Sequence, residues 1–266
     1  MTTTMNLQKN DSNLNFFHES RPLNPELLGD CKKEGHWLFK SLNPALQEQV
    51  MTLSKLVNYE ARKEIFHEGE LTFGFYLIAA GTVKLSKRTS SGKKMILRVF
   101  SEGEVLGVET LYGGDIYDCH AETMTPAALY FIERRVFLDI LRESPAIAFY
   151  FIEHLSQDMR MLKSKLVETA YEGSNERVAN LLLRLAERFG IPTVGGTDIG
   201  LELKRGELAQ MAGLTTETTI RTLRKFEQRN WIQLQRNRVI LRNVDAIENL
   251  AEDYLEPVAS PELMIV

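Results

Sequence analysis

The chain has 266 residues, 44% of them hydrophobic, enough to bury a proper core and to fill two domains with a connection. Its net charge of −4 excludes a protein that is basic throughout, and no apolar run approaches the roughly 18–20 residues needed to span a bilayer. Two distant cysteines, Cys31 and Cys119, cannot build a disulfide framework; with an N-terminus that lacks the charged-then-apolar order of a secretion signal, they predict a reducing cytoplasm.

Residues 1–34 are polar, lack periodicity and are interrupted by Pro22 and Pro25; they read as a mobile extension with Phe16-Phe17 as a docking spot. A helix opens at Asn43, with Pro44 at its first position. From about Glu60 to Ile132, short runs rich in Val, Ile, Leu, Phe and Tyr alternate with glycines. Phe75–Ile78 and Val83–Ser86 straddle Ala80-Gly81, and Met95–Phe100 follows the turn Ser90-Ser91-Gly92-Lys93. That spacing predicts a small antiparallel β-roll, and residues 35–143 are assigned to it as a sensor domain.

Ser144-Pro145 starts a long helix, assigned to 144–172, whose apolar residues Phe151, Leu155, Met159, Leu162 and Leu166 recur at spacings of three and four. Polar residues on the remaining faces leave a narrow stripe, which predicts a parallel homodimer seam, as opposed to a helix packed on its own roll. Glu172-Gly173-Ser174 breaks this helix and offers a hinge, after which Val178 to Phe189 forms another helix ended by Gly190-Ile191-Pro192.

Residues 173–250 carry the most specific text. Leu208, Ala209 and Ala212 give a short helix an apolar side, and Gly213 supplies a residue able to turn the chain at positive φ. Thr215 then caps a second helix with Ile220, Leu223 and Phe226 as its stripe. Asn230–Leu234 and Val239–Leu241 read as two strands around Gln235-Arg236-Asn237-Arg238, so the pair of helices is followed by a basic hairpin. Residues 203–242 hold nine Lys and Arg against three acidic residues, a local balance of about +6 in an acidic chain. A basic module of this shape suits double-stranded DNA. Residues 251–266 read as a C-terminal tail.

The predicted class is therefore α+β: an N-terminal antiparallel β-roll, a long dimerisation helix and a C-terminal winged helix-turn-helix. This order resembles the CRP/FNR family of bacterial transcription regulators over roughly residues 36–250. The likeness rests on Ile65-Phe66-His67-Glu68-Gly69-Glu70, Phe75–Val83, Gly103-Glu104-Val105-Leu106-Gly107 and Leu214–Arg221. It implies a roll of the cyclic-nucleotide-binding type, whether or not a nucleotide binds. It also implies that Glu217 and Arg221 read a TGA-type half-site core, with Thr216 and Ile220 at the variable reading positions. The chemistry agrees: Arg donates twice to guanine O6 and N7, and Glu accepts from cytosine N4. Lys204, Arg205, Thr215, Arg224, Arg236 and Arg238 are expected on phosphates, which position the protein without reading sequence. RNA polymerase is the further partner the family implies.

The effector is less legible. Nucleotide-binding members use a glutamate for the ribose and an Arg-Ser pair for the phosphate. Here Val108 follows Gly107, Glu109 comes one place later, and Ile116-Tyr117-Asp118-Cys119-His120-Ala121 has no arginine. Asp118 repels a phosphate, so cyclic AMP is not expected. The candidate effector pocket is Val108, Glu109, Tyr117, Asp118, Cys119 and His120. Two cysteines exclude a four-Cys iron–sulfur cluster within one chain. Haem has candidate ligands in His120, Cys119, His154 and His67, each with a plainer structural reading; no cofactor and no metal site is predicted. An unidentified small molecule, or control by abundance alone, is the reading preferred; a cyclic nucleotide, haem and redox chemistry at Cys119, which Asp118 opposes, are the alternatives. The chain shows no Walker-type loop, no His-Glu-x-x-His and no Gly-x-Ser-x-Gly, so no enzyme is expected. A cyclic-nucleotide sensor with an incidental helical tail and a protein-binding module are the other classes to be separated.

Overall fold

The computed structural model describes residues 52–252. The expected extension with Phe16-Phe17, the helix at Asn43, Cys31 and most of the C-terminal tail lie outside the described residues. In chain order the roll comprises β1 (Lys55–Tyr59), β2 (Glu64–Phe66), β3 (Gly74–Ala80), β4 (Val83–Arg88), β5 (Lys94–Phe100) and β6 (Val105–Leu106). A one-turn α1 (Thr110–Gly113), β7 (His120–Thr123) and β8 (Ala127–Glu133) complete it, followed by α2 (Arg134–Glu143).

Two four-stranded sheets form, in the orders β1-β8-β3-β6 and β2-β7-β4-β5. The hydrophobic runs explain them. β3 reads Gly-Phe-Tyr-Leu-Ile-Ala-Ala and is buried along nearly its whole length, as a strand covered on both faces must be. It pairs antiparallel with β8, Tyr76 opposite Phe131 and Leu77 opposite Tyr130, with a register shift near Ile78. Between the sheets lies an aromatic core of Phe66, Tyr76, Phe100 and Tyr117, with Ile78, Leu106 and Leu129. α2 is pinned by Phe137, whose ring meets Phe75 edge-on at 4.6 Å. Burying a side chain of that size contributes about 1.5–3 kcal/mol.

The long helix is α3 (Pro145–Tyr171), and α4 (Ser174–Phe189) follows after the two-residue break Glu172-Gly173. Then come β9 (Ile191–Thr193), β10 (Gly196–Asp198), α5 (Arg205–Ala212), α6 (Thr216–Gln228), β11 (Ile232–Gln235), β12 (Arg238–Leu241) and α7 (Val244–Glu252). The small sheet runs β11-β12-β10-β9. The wing hairpin is thus backed by a second hairpin that the sequence reading had taken as a helix terminator, because Pro192 and Gly195-Gly196 mask two three-residue strands.

The chain divides into two compact units: residues through Leu85 with Val99–Ala148, and Ser86–Arg98 with everything from Phe149 on. In the second unit Arg98 of β5 ion-pairs with Asp158 of α3. There, too, Glu168 of α3 is buried and clamped by both guanidinium nitrogens of Arg184 in α4, and Asn180 donates to the Glu172 carboxylate at 3.0 and 3.1 Å.

Spacing had put Phe151 in the α3 seam, and the structure corrects this. Phe151 is 5% exposed within the single chain and, like the fully buried Ile147, is already covered. The outward stripe is Ile152, Leu155, Met159, Leu162 and Leu166, whose steps of three, four, three and four fit a helical seam better than a start at Phe151. Leu162 and Leu166 are 63% and 71% exposed.

Candidate nucleic-acid interface

Helix α5 begins where the Glu207 carboxylate accepts the Lys204 amide at 3.0 Å, satisfying one of the unpaired donors at a helix start. Leu208, Ala209, Met211 and Ala212 are buried, as the apolar pattern requires. The helix stops at Gly213, whose φ of 64° is left-handed. That backbone conformation calls for glycine; a Cβ there would also displace the tip of Arg177, whose Nη2 stands 2.5 Å from its position. Thr215 then caps α6, its hydroxyl accepting from the Thr218 amide at 3.1 Å.

The buried side of α6 is Thr219, Thr222, Leu223 and Phe226. Two of these are threonines, which no hydrophobic count would select. Thr219 returns its hydroxyl to the Thr215 carbonyl at 3.0 Å, and Thr222 reaches Asn175 at 3.4 Å. Ile220, counted first with the buried stripe, is only partly covered. It lies with Glu217, Arg221, Arg224, Lys225 and Gln228 along one open depression of about 690 Å³ on the outer face of the helix. Thr216, Glu217, Arg221, Arg224 and Lys225 are exposed. Glu217 and Arg221, one turn apart, share a face.

The expected phosphate contacts divide. Lys204, Thr215, Arg224 and Arg236 are exposed. Arg238 is half exposed and shared between Asp198 at 3.4 Å and Glu202 at 3.6 Å, so an incoming phosphate must compete with two carboxylates. Arg205 departs from the expectation. Its guanidinium turns inward and donates to the Gln235 carbonyl at 3.4 Å, and burial lowers its pKa against the pull of Glu227. Glu227 in turn accepts the Leu234 amide at 3.0 Å. Arg205 is thus half-buried, with one guanidinium nitrogen reaching back to the wing, unlike the exposed cations around it.

The six residues proposed for the effector pocket do not converge. Val108, Tyr117 and Cys119 are buried, Glu109 and Asp118 are exposed, and His120 lies 3.5 Å from Glu64 and 3.9 Å from Glu68. Alternation along an extended segment sends neighbours to opposite sides. The Tyr117 ring stacks on Phe66 with centroids 3.7 Å apart, and its hydroxyl donates to the Gly74 carbonyl at 3.1 Å. Gly107, at φ +84°, leaves room for it: a Cβ there would come within 3.1 Å of the ring. Burial pushes the Tyr117 phenol up to about 12, and Tyr76 higher still.

These residues do not fit a cyclic nucleotide. Aromatic rings fill the interior between the sheets, and the stretch from Gly107 to His120 holds no lysine or arginine for a phosphate, while its one histidine lies beside Glu64 and Glu68. Nor does a haem or metal set assemble among the described residues: His67 is held by Glu70 at 2.9 Å, the His154 side chain is outside the described set, and no three His, Cys, Asp or Glu side chains form a group that could hold a metal ion. No described helix is long and apolar enough to cross a membrane.

Comparison with known proteins agrees with this division. The family model of the cyclic nucleotide-binding domain matches residues 56–144, and that of the Crp-like helix-turn-helix domain matches residues 176–250. The global nitrogen regulator of Synechococcus elongatus is 28% identical over 73% of this chain and 88% of its own length. The CRP-like cAMP-activated global transcriptional regulator of Mycobacterium tuberculosis is 24% identical over 80% of this chain and 96% of its own. Among solved structures, the c-di-GMP responsive global regulator CLP of Xanthomonas campestris superposes with a TM-score of 0.68 at 21% identity, covering 75% of this chain and 99% of that one. The roll followed by the winged helix-turn-helix, in this order, places the chain in the CRP/FNR family of DNA-binding transcription regulators, which are not enzymes.

Proposed function

We propose that the chain acts in the cytoplasm as a homodimer that reads a palindrome with TGA-type half-site cores. Glu217 accepts from cytosine N4, and Arg221 donates to guanine O6 and N7. Thr216 and Ile220 flank them, the isoleucine presenting apolar surface suited to a thymine methyl. Lys204, Thr215, Arg224, Arg236 and Arg238 take phosphates. The carrying observation is the pairing of Glu217 and Arg221 on one exposed face of a helix whose first turn is fixed by Gly213 and Thr215. Once seated, the dimer recruits or blocks RNA polymerase, according to where the site lies in a promoter.

The seam of this dimer is Ile152, Leu155, Met159, Leu162 and Leu166. Five large apolar side chains exposed at heptad spacing on one chain support a second copy of the same helix. The double change Leu162→Asp and Leu166→Asp gives a monomer in sedimentation, and an unchanged dimer refutes the seam. The signal is not cyclic AMP in this reading, since the roll's interior is packed with Phe66, Tyr76 and Tyr117; an unidentified small molecule or abundance alone sets activity. Calorimetric titration showing micromolar binding of cyclic AMP overturns that part.

For base reading, duplexes are selected from a random pool by the wild-type protein and then measured with Arg221→Ala. The expected loss is about 1–3 kcal/mol, or roughly ten- to hundredfold, with preference at the guanine relaxed. Retention of full selectivity by Arg221→Ala removes that assignment.

A further inference from the structure

The end of α5 is held by two other helices. A helix leaves its last four carbonyls without intrahelical partners, and they carry the negative end of its dipole. In α5 the Gly213 and Leu214 amides both turn back to the Ala209 carbonyl. The carbonyls beyond it are met by cations from elsewhere in the second unit. Lys165 of α3 donates to the Met211 carbonyl at 3.0 Å. Arg177, in the first turn of α4, donates through Nη2 to the Ala212 carbonyl at 2.5 Å and the Gly213 carbonyl at 2.9 Å.

Lys165 is itself anchored. Its amine lies 3.7 Å from Glu168, whose buried carboxylate is held by Arg184 of α4. Burial, aided by Arg184 and Arg177, lowers the Lys165 pKa. The contact to Met211 has a topological consequence. Only Glu172 and Gly173 link α3 to α4, and the break is already bridged from α3 to α4 by Glu168 with Arg184 and beside it by Glu172 with Asn180. Lys165 precedes that link and Met211 follows it, so their hydrogen bond is the strut that extends this bracing from α3 to α5. The reading helix α6 leaves from Thr215, two residues after the gripped turn.

We propose that Lys165 and Arg177 are positioning residues, which fix the direction of α6 against the long helix and thereby the half-site separation that the dimer accepts. The proposal rests on the DNA-reading dimer above. In a two-fold dimer the angle between α3 and α6 sets the distance between the two reading helices, and therefore the distance between half-sites. Neither residue touches DNA in this role. Their removal changes spacing tolerance and leaves the base preference intact.

The test uses the full chain and duplexes carrying inverted TGA cores at graded separations around one helical turn, with a single-core duplex as reference. The wild-type protein favours one separation. Lys165→Met and Arg177→Met each reduce that preference about tenfold, as expected for the loss of a charge-assisted hydrogen bond, while affinity for the single core stays within about twofold. Lys165→Arg restores the preference. The proposal is overturned if the methionine variants keep the wild-type preference, if they weaken all duplexes equally, if the wild-type protein is indifferent to separation, or if thermal melts show both variants unfolded. Failure of the wild-type protein to favour any TGA-containing duplex over random DNA refutes instead the DNA reading beneath it.

Discussion

The roll and the reader treat polar chemistry in opposite ways. In the roll, several polar side chains are turned inward and paired: Tyr117 stacks on Phe66 and bonds to Gly74, Lys84 is 5% exposed and pairs with Glu122 at 2.8 Å, and Thr123 ties down the backbone at Glu60 and Lys63. On α6 of the reader, Thr219 and Thr222 are the buried polar groups, while Glu217, Arg221, Arg224 and Lys225 stand in solvent. A site that is to meet a polyanion needs its cations hydrated and available. The roll's interior is packed with its own aromatic and aliphatic side chains.

That contrast can be broken most strongly by alkali. Tyr117 titrates near 10.0 when unfolded and about 12 when folded, so the folded state holds its proton longer. Its stabilising contribution is complete below pH 10.0 and is lost as the pH rises through about 12, amounting to roughly 3 kcal/mol. Tyr76 acts in the same direction. The roll should therefore unfold at high pH with phenolate absorbance appearing in the same step. Tyr117→Phe loses about 1 kcal/mol at neutral pH with its hydrogen bond, and the deficit closes in alkali. Ionisation of Tyr117 in the still-folded roll at pH 10, read as phenolate absorbance that the Tyr117→Phe variant lacks, contradicts the closed core.

The reader is tested by backbone. Gly213→Ala forces a Cβ into the left-handed turn and against Arg177, costing about 1–2 kcal/mol in urea unfolding followed by circular dichroism. An equally stable variant removes the steric account of that turn. The smallest effect sharpens the assignment of cations. Arg236→Ala should lower the slope of log affinity against log salt by about 1, because an exposed phosphate contact is lost. Arg205→Ala should leave that slope unchanged and lower the melting temperature, since its guanidinium is spent on the wing.

Much of this was legible from sequence, for a physical reason. Gly213 and Thr215 are local signals, each acting within one turn, and both appear where expected; of the stripe Ile220, Leu223 and Phe226, the last two are buried and Ile220 is only partly covered. The long helix and its break before Ser174 also appear where expected. What failed depended on which side of an element faced another. Phe151 has helical spacing with Leu155 yet points to the concealed side, and one more residue of rotation brings the exposed seam to Ile152. Arg205 belongs to a basic segment, but only the folded wing reveals its turn toward Gln235. Glu109 and Asp118 fall beside buried neighbours, and no pattern in one segment tells which side of a roll is hollow. Nothing local marks Lys165 among the polar residues off the stripe, because its partner Met211 lies forty-six positions away.

The placement of Ser86–Arg98 in the second unit bears on how such chains can be taken apart. Arg98 reaches Asp158 on α3, and the Met95 methyl lies beside the Gly213 turn, 3.5 Å from where a Cβ would stand. A fragment begun at residue 144 would carry every motif of the reader yet lack Met95 and Arg98, which the β4–β5 hairpin supplies from far upstream. That hairpin is also part of the sheet β2-β7-β4-β5, so it cannot be cut out with the C-terminal half without opening the roll. A graft of this reader onto another roll therefore has to find substitutes for these two contacts.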